Sequence, residues 1–383
     1  MYRALCRAAL APGYHQVRIP RVAGQSLEDA ARAGRHAVFE QALAADDCIL
    51  LAHHRNDQVE TLLHHLFRGS GVHGLAGMPE ARPCGQGTLL RPLLTLPREQ
   101  LLAYARQQGL SWIEDPSNQD THYTRNHLRH AVLPSLRERW PGIDASLARS
   151  ATVCAESAGL LDTLARIDLV TAAGTHANRL RVSKLRALSP ARQRNLLRHW
   201  LHTLHLQRQL PPPNHRLLQA IVGDLLPAAA DAEPCLRWGQ GAARGELHRF
   251  QDEIHALRPL PMPVGPLQWD TAQPLTLPPP LGTLQLEHGV STGLPVSLAR
   301  TLDVRFRQGG EKVAIPGRVT RTLKNLLREQ GVPPWLRGRV PLVYAAGQLV
   351  AVGDLQLGKA SAGNCGENCA KILWLRSDSD CGY

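Results

Sequence analysis

The sequence predicts an α/β domain with a mainly parallel sheet, then a helical middle domain, then a small α+β C-terminal domain. Three observations carry this. Over residues 1–140, short apolar strand-like runs alternate with helix-patterned stretches, as in a sheet covered by helices. Residues 145–257 turn to long patterns rich in Leu, Ala and Arg. A dense proline cluster then fills 258–283 and precedes a compact block at 284–376. Such a proline cluster suits an inter-domain linker.

The elements follow in order. Residues 2–11 look helical and HQVRIPRV (15–22) strand-like. Residues 27–45 return to helix, with Leu27, Ala30, Ala31, Val38 and Leu43 as its apolar positions. CILLAH (48–53) is a continuous apolar run, as expected of a parallel strand covered on both faces. Val59, Leu62, Leu63 and Leu66 give 57–67 helical spacing. Pro97 and Gly109 punctuate a helix over 97–109. Further helices are expected at 146–170, 183–205 and 214–226, and a hairpin at 235–250. The last block holds one clear helix at 320–330, and 377–383 reads as a disordered tail.

A length of 383 residues suggests two to three domains. The formal net charge is +12, and it is nearly all arginine; lysine occurs only at Lys184, Lys312, Lys324, Lys359 and Lys371. That balance points to a polyanionic partner, nucleic acid above all. The eight cysteines are scattered, and Cys365 and Cys369 are the only close pair. No further ligands stand at matching spacing beside that pair, so no metal site is expected. No run of about 18 apolar residues occurs, so no membrane partner is expected. The first residues make a poor signal peptide, and the expected location is cytoplasmic.

Chemistry concentrates where the apolar strand ends. In an open parallel sheet, ligands bind beyond the carboxyl ends of the strands. His53 and His54 stand at that end, and Asp57 and Glu60 follow three apart on one helix face. Asp57-Gln-Val-Glu60 also has the form of a capping box, with Asp57 as N-cap. From these residues alone, capping and catalysis stand even. A functional carboxylate pair could hold an ammonium group, a metal ion or both. Arg32 and Arg35 on the preceding helix could meet phosphate. Arg125 and Arg129 begin a later helix on one face, an arrangement suited to bidentate phosphate contact.

The ordered set of AHHRNDQVETLLHHLFRGSGVHGLAGM, RPLLTLPREQLLAYARQQGLSWIEDPSNQD, YTRNHLRHAVLPSL and KNLLREQGVPPWLRGRVPLVYAAGQLVAVG resembles one family. It is bacterial tRNA(Ile)-lysidine synthetase, of the PP-loop (N-type ATP pyrophosphatase) superfamily. The helix SLEDAARAGRHAVF fits as well. The resemblance implies a doubly wound parallel sheet and an ATP-dependent ligase. Family members adenylate C2 of the wobble cytidine in a CAU anticodon, and the side-chain amine of lysine then displaces AMP. ATP, with Mg2+, is the implied co-substrate; the implied partners are tRNA(Ile) and free lysine, with a homodimer compatible. His53, Asp57, Glu60, Arg125 and Arg129 fall on implied catalytic positions, Asp57 and Glu60 on lysine recognition, and Arg32 and Arg35 on ATP phosphates. The middle block (145–257) and the last block (284–376) are implied tRNA-binding domains. Arg192, Arg194 and Arg198 are candidate contacts in the first, though a solvated face suits them equally. Arg305, Arg307, Arg318, Arg321 and Lys324 form a basic cluster in the second.

One departure stands out. Family members begin with a strand and a Ser-Gly-Gly-x-Asp-Ser loop that cradles pyrophosphate. No such sequence occurs in these 383 residues, and Met1 falls within the helix after the family's second strand. The expected sheet is therefore incomplete and ATP lacks its principal anchor, so activity and inactivity of the chain as it stands are both left open. The alternative reading is a non-catalytic tRNA-binding remnant.

Overall fold

The computed structural model describes residues 27–229, 232–240, 243–290, 293–313, 321–357 and 369–376. The expected helix at 2–11, the strand at 15–22, the tail, Arg318 and Cys365 lie outside the described residues. The chain divides into two compact units, residues 1–163 and 164–383.

In the first unit, α1 (Leu27–Ala42) leads to β1 (Cys48–Leu50), α2 (Arg55–Phe67) and the short α3 (Val72–Leu75). Strands β2 (Ala81–Cys84) and β3 (Gly87–Leu90) form a hairpin. β3 lies parallel to β1, from Cys48 opposite Thr88 to Leu50 opposite Leu90, and the sheet order is β1-β3-β2. The described sheet is thus one parallel pair with an antiparallel edge. The hairpin turn needs glycine at Gly85, where φ is +58° and a Cβ would meet the Glu40 carbonyl oxygen at 2.1 Å.

After α4 (Arg98–Gln107) come α5 (Thr124–His127), a π turn over Leu128–Val132, and α6 (Leu133–Arg139). Pro134 sits in the first turn of α6. Its ring cannot tolerate a regular α contact with the carbonyl four residues back, and widening of the preceding turn accommodates it. Val59, Leu62 and Leu63 of α2 pack against Leu128 of the π turn, Leu133 of α6 and Ala151 of the long α7 (Ile143–Ala172).

In the second unit, β4 (Arg179–Arg181), α8 (Val182–Arg186), α9 (Pro190–Arg208) and α10 (His215–Ala220) precede β5 (Cys235–Gln240), β6 (Ala243–Phe250) and β7 (Glu253–Leu257). The strands form an antiparallel sheet in the order β4-β7-β6-β5, so the helical block also carries a sheet. Leu197, Trp200 and Leu201 of α9 share its core with Leu247 and Ile254.

Next come β8 (Leu267–Asp270), β9 (Leu275–Thr276), β10 (Thr283–Val290), β11 (Leu294–Pro295), β12 (Thr301–Arg305), β13 (Lys312–Val313) and β14 (Arg321–Thr322). They are followed by α11 (Leu323–Glu329), α12 (Pro334–Arg337), β15 (Leu342–Ala345), β16 (Gln348–Val352), β17 (Leu355–Gln356) and β18 (Cys369–Leu375). Two sheets, β17-β16-β15-β12-β8 and β11-β18-β10-β9, share one core that includes Trp269, Leu302, Val343 and Ile372.

The stretch 258–283 therefore differs from the linker expected of it. β8 and β9 are edge strands, and Trp269, Leu277 and Leu281 are core residues. Proline is compatible with edge strands because one side of each needs no ladder donor. Among the described residues, no helix is long and apolar enough to cross a membrane.

Candidate active site

Because β1 and β3 are parallel, their carboxyl ends share one rim. His53 follows β1 by three residues, and Arg91 follows β3 directly. Arg91 is 3 % exposed, and its Nε–H donates to His53 Nδ1 at 3.2 Å, while Nη1 donates to the Pro79 carbonyl at 2.7 Å. Arginine has no acceptor, so Nδ1 must be the unprotonated nitrogen and the His53 proton resides on Nε2. Burial pushes the His53 pKa down to about 4. The Asp57 charge opposes this, and Arg91, Arg125 and Arg32 reinforce it. His53 is thus neutral at pH 7, with an N–H to offer.

The helix after the strand begins at Arg55, three residues earlier than the capping reading requires. His54 is the N-cap, and its Nδ1 accepts from Asp57 N at 3.4 Å while Asp57 Oδ2 accepts from His54 N at 2.9 Å. The capping box is His54 with Asp57, and Glu60 has no part in it.

Glu60 instead meets arginines from 65 and 69 residues further along. Its Oε2 accepts from Arg125 Nε at 2.7 Å and Arg129 Nη2 at 3.0 Å, and its Oε1 from Arg129 Nε at 2.7 Å. Asp57 Oδ1 accepts from Arg125 Nη2 at 2.8 Å. Two carboxylates and two guanidiniums form one closed, charge-balanced quartet. The Glu60 side chain is 1 % exposed, so three charge-assisted bonds replace its lost hydration. Burial lowers the Arg129 pKa, but the Glu60 hydrogen bond and the charges of Glu60 and Asp57 outweigh it, and the net shift is upward.

A second cluster is cationic. Arg32 and Arg35 are exposed on α1. His36 on the same helix accepts from Arg82 Nη2 of β2 at 2.8 Å. Burial lowers the His36 pKa, and the charges of Arg82, Arg32, Arg35 and Arg91 lower it further. Burial also lowers the pKa of Arg91, with Arg82 and Arg32 adding to the effect. Among the described residues, no acid acts on His36 or Arg91. A cluster of like charge with a neutral imidazole is suited to a polyanion such as a phosphate chain.

The sequence-expected residues therefore fall into two groups, His53 with the quartet and Arg32 with Arg35. Arg82, Arg91 and His36 were missed. The available pointer was Arg91 at the carboxyl end of a strand-like run, the position a parallel sheet reserves for ligands.

The expected tRNA contacts fare unequally. Arg192 is committed to Asp168, whose side chain is 1 % exposed, through Nε at 3.2 Å and a second bond from Nη2. Arg198 bonds Asn195 on its own helix. Arg305 pairs with Asp303 at 3.2 Å, Arg307 with Glu311 at 3.7 Å and Arg321 with Glu329 at 2.6 Å. Arg194 and Lys324 are exposed, with no acid paired to either among the described residues.

A parallel-sheet rim with neutral histidine, paired acids and a cationic cluster belongs to the class of nucleotide-handling α/β domains, and residues 4–136 match the family model described as the PP-loop domain. Residues 180–255 match the TilS substrate binding domain, and 302–374 the TilS substrate C-terminal domain. The chain is 42 % identical over 389 residues to the tRNA(Ile)-lysidine synthase of Pseudomonas fluorescens, covering 99 % of this chain and 83 % of the relative. That of Pseudomonas putida is 45 % identical over 87 % of this chain and 76 % of its own length. That of Coxiella burnetii is 42 % identical over 86 % and 72 %. The chain belongs to the tRNA(Ile)-lysidine synthase family.

Proposed function

We propose that this chain is a ligase that joins lysine to C2 of the wobble cytidine of a CAU-anticodon tRNA at the expense of ATP. The observation that carries the reading is the His53–Asp57–Glu60–Arg125–Arg129 assembly, joined through the Arg91–His53 hydrogen bond to a cationic cluster of Arg32, Arg35, Arg82, Arg91 and His36. One site suits an ammonium and the other a phosphate chain.

The roles divide by the lone pairs still available. Glu60 uses both oxygens on arginine and is fully buried, so it pins Arg125 and Arg129. Asp57 accepts one hydrogen bond from Arg125 and one from a backbone N–H, with Arg129 Nη2 at a longer 3.6 Å from Oδ1, which leaves acceptor capacity. Asp57 therefore takes the lysine ammonium and is the acceptor for the proton the amine must lose. His53 offers its Nε2–H as a donor to charge on the reacting base or phosphate. The pinned guanidiniums add positive potential where adenylyl transfer develops negative charge.

The quartet does not fit a resident Mg2+, because two guanidiniums occupy both oxygens of Glu60 and leave Asp57 as the one carboxylate with free acceptor capacity, too few oxygen ligands for that ion. Mg2+ is proposed only as travelling with the ATP phosphates. Residues 145–257 and 284–376 are proposed to bind the tRNA, and the cytoplasm is the proposed location. A homodimer is proposed on a separate feature of α7. Val153 and Leu160 stand seven residues apart and are 60 % and 73 % exposed, supplying one of the two apolar positions per heptad that a helix pairing with a copy of itself uses. Sedimentation should show a dimer that Leu160→Glu converts to monomer; a wild-type monomer would sink this part alone.

The deciding experiment incubates the chain with ATP, labelled lysine and a CAU-anticodon transcript. Incorporation that requires both ATP and the wobble cytidine is expected. Retained tRNA binding without incorporation would favour the non-catalytic binding protein.

A further inference from the structure

The β5–β6 hairpin carries a cluster that the site above does not use. Cys235 lies directly opposite His248, and Glu246 opposite Arg237. Glu246 and His248 are two apart on β6, so their side chains share a face. Cys235 Sγ is 3.8 Å from His248 Nε2, which is 2.9 Å from Glu246 Oε2. All three donor atoms lie within 4.8 Å of one another.

We infer that Cys235, Glu246 and His248 form a binding site for a zinc-class divalent ion. In a tetrahedral site, metal–ligand bonds of about 2.0–2.3 Å place sulfur and nitrogen roughly 3.6 Å apart and nitrogen and oxygen roughly 3.3 Å apart. The observed separations need only small side-chain adjustments to reach these values. Thiolate with imidazole favours zinc over magnesium or calcium. Three protein ligands leave a fourth position for water, and Cys235 is at the exposed side.

The surroundings hold the ligands in place. Arg237 Nε donates to Glu246 Oε1 at 2.9 Å and leaves Oε2 to face the site. The Trp335 ring stacks on His248 at 4.4 Å and 29°, fixing the imidazole plane. Such outer contacts orient ligands in metal sites. Burial holds His248 below its ordinary pKa despite Glu246, so the ring is neutral and its Nε2 can bind a cation once the proton moves to Nδ1. Burial and the Glu246 charge raise the Cys235 pKa, so without metal it is a thiol. Binding therefore forms the sulfur–metal bond and releases the thiol proton to solvent. Two anionic ligands then neutralise the divalent charge.

The sequence expectation of no metal weighed only Cys365 and Cys369. Ligands facing each other across a hairpin become visible only once its register is known.

The test uses the reduced, chelator-treated chain and Co2+ as the probe. One equivalent should bind with a thiolate-to-cobalt charge-transfer band, and Zn2+ should displace it. Calorimetry in buffers of differing ionisation enthalpy should report about one proton released per ion. Trp335 fluorescence should change with the same saturation curve. Cys235→Ser, at an exposed position, should abolish the band, and Glu246→Gln should weaken Zn2+ binding about 10- to 100-fold. Either no saturable binding by wild type, or an unchanged band in Cys235→Ser, overturns the site.

Discussion

Asp57 and Glu60 are the same functional group three residues apart, yet their surroundings give them different duties. Asp57→Asn should raise the lysine KM about 10- to 100-fold, the worth of a charged hydrogen bond, while the ATP KM stays within about twofold. Glu60→Gln should instead act through structure. It leaves two guanidiniums short of a partner that is 1 % exposed, and chemical denaturation should show a loss of about 2–4 kcal/mol. Equal lysine effects from both substitutions would contradict this division. His53, with its pKa pushed down to about 4, and His255, buried and pushed down to about 3, set the acid response. Each titrates near 6.5 when unfolded, so the unfolded chain takes up protons first as pH falls. Stability is full above about pH 6.5 and declines toward pH 4 for His53 and toward pH 3 for His255. Urea midpoints should fall between about pH 7 and pH 4.5, and His53→Asn with His255→Asn should flatten the fall. His53, Asp57, Glu60, Arg125 and Arg129 were legible as candidates because strand-end position and residue type are local properties. Their pairing was not, since Glu60 meets partners 65 and 69 residues away.

Among the elements, α2 does most to position the site, and its far side is locked as firmly as its rim. Gln58 accepts from Met78 N at 2.8 Å and donates to Met78 O at 3.0 Å, an amide taking the place of a neighbouring strand. Gly77 lies beside it with φ +66°, and a Cβ there would approach Gln58 Oε1 at 2.7 Å. Gly77→Ala should therefore lose about 1–3 kcal/mol through strain and a broken buried amide pair, measured by denaturant unfolding. The periodicity that located α2 over 57–67 missed its first turn, because Arg55 and Asn56 carry no apolar marker. The same cause hid the strands in 258–283. Prolines dominate that composition, while Trp269, Leu277 and Leu281 do the packing. β4, only three residues long, pairs with β7, where Arg181 lies opposite Glu253 some 70 residues away, a pairing no local pattern records.

At the scale of the whole molecule, a net charge of +12 invites the view that arginines in the blocks proposed to bind tRNA are interchangeable phosphate contacts. The ion pairs argue otherwise. Arg192 compensates the buried Asp168, and Arg305, Arg307 and Arg321 each face an acid. A cation already paired within the fold releases fewer counterions when it meets a phosphate, because its charge is partly neutralised beforehand. Arg194 and Lys324 have no paired acid among the described residues and should carry more of the electrostatic term. The logarithm of the tRNA association constant falls linearly with the logarithm of salt, at a slope of about −0.9 per phosphate neutralised on a duplex. Joint replacement of Arg194 and Lys324 by alanine should make that slope shallower by about 2 and leave thermal stability unchanged. Arg192→Ala should do the reverse, lowering the melting temperature by stranding Asp168 while the slope holds. Filter binding across a salt series, beside melting curves for the same proteins, separates the two behaviours. If Arg192→Ala instead shifts the slope by about 1 and melts like wild type, its bond to Asp168 must open on tRNA binding, and the arginine belongs to the interface.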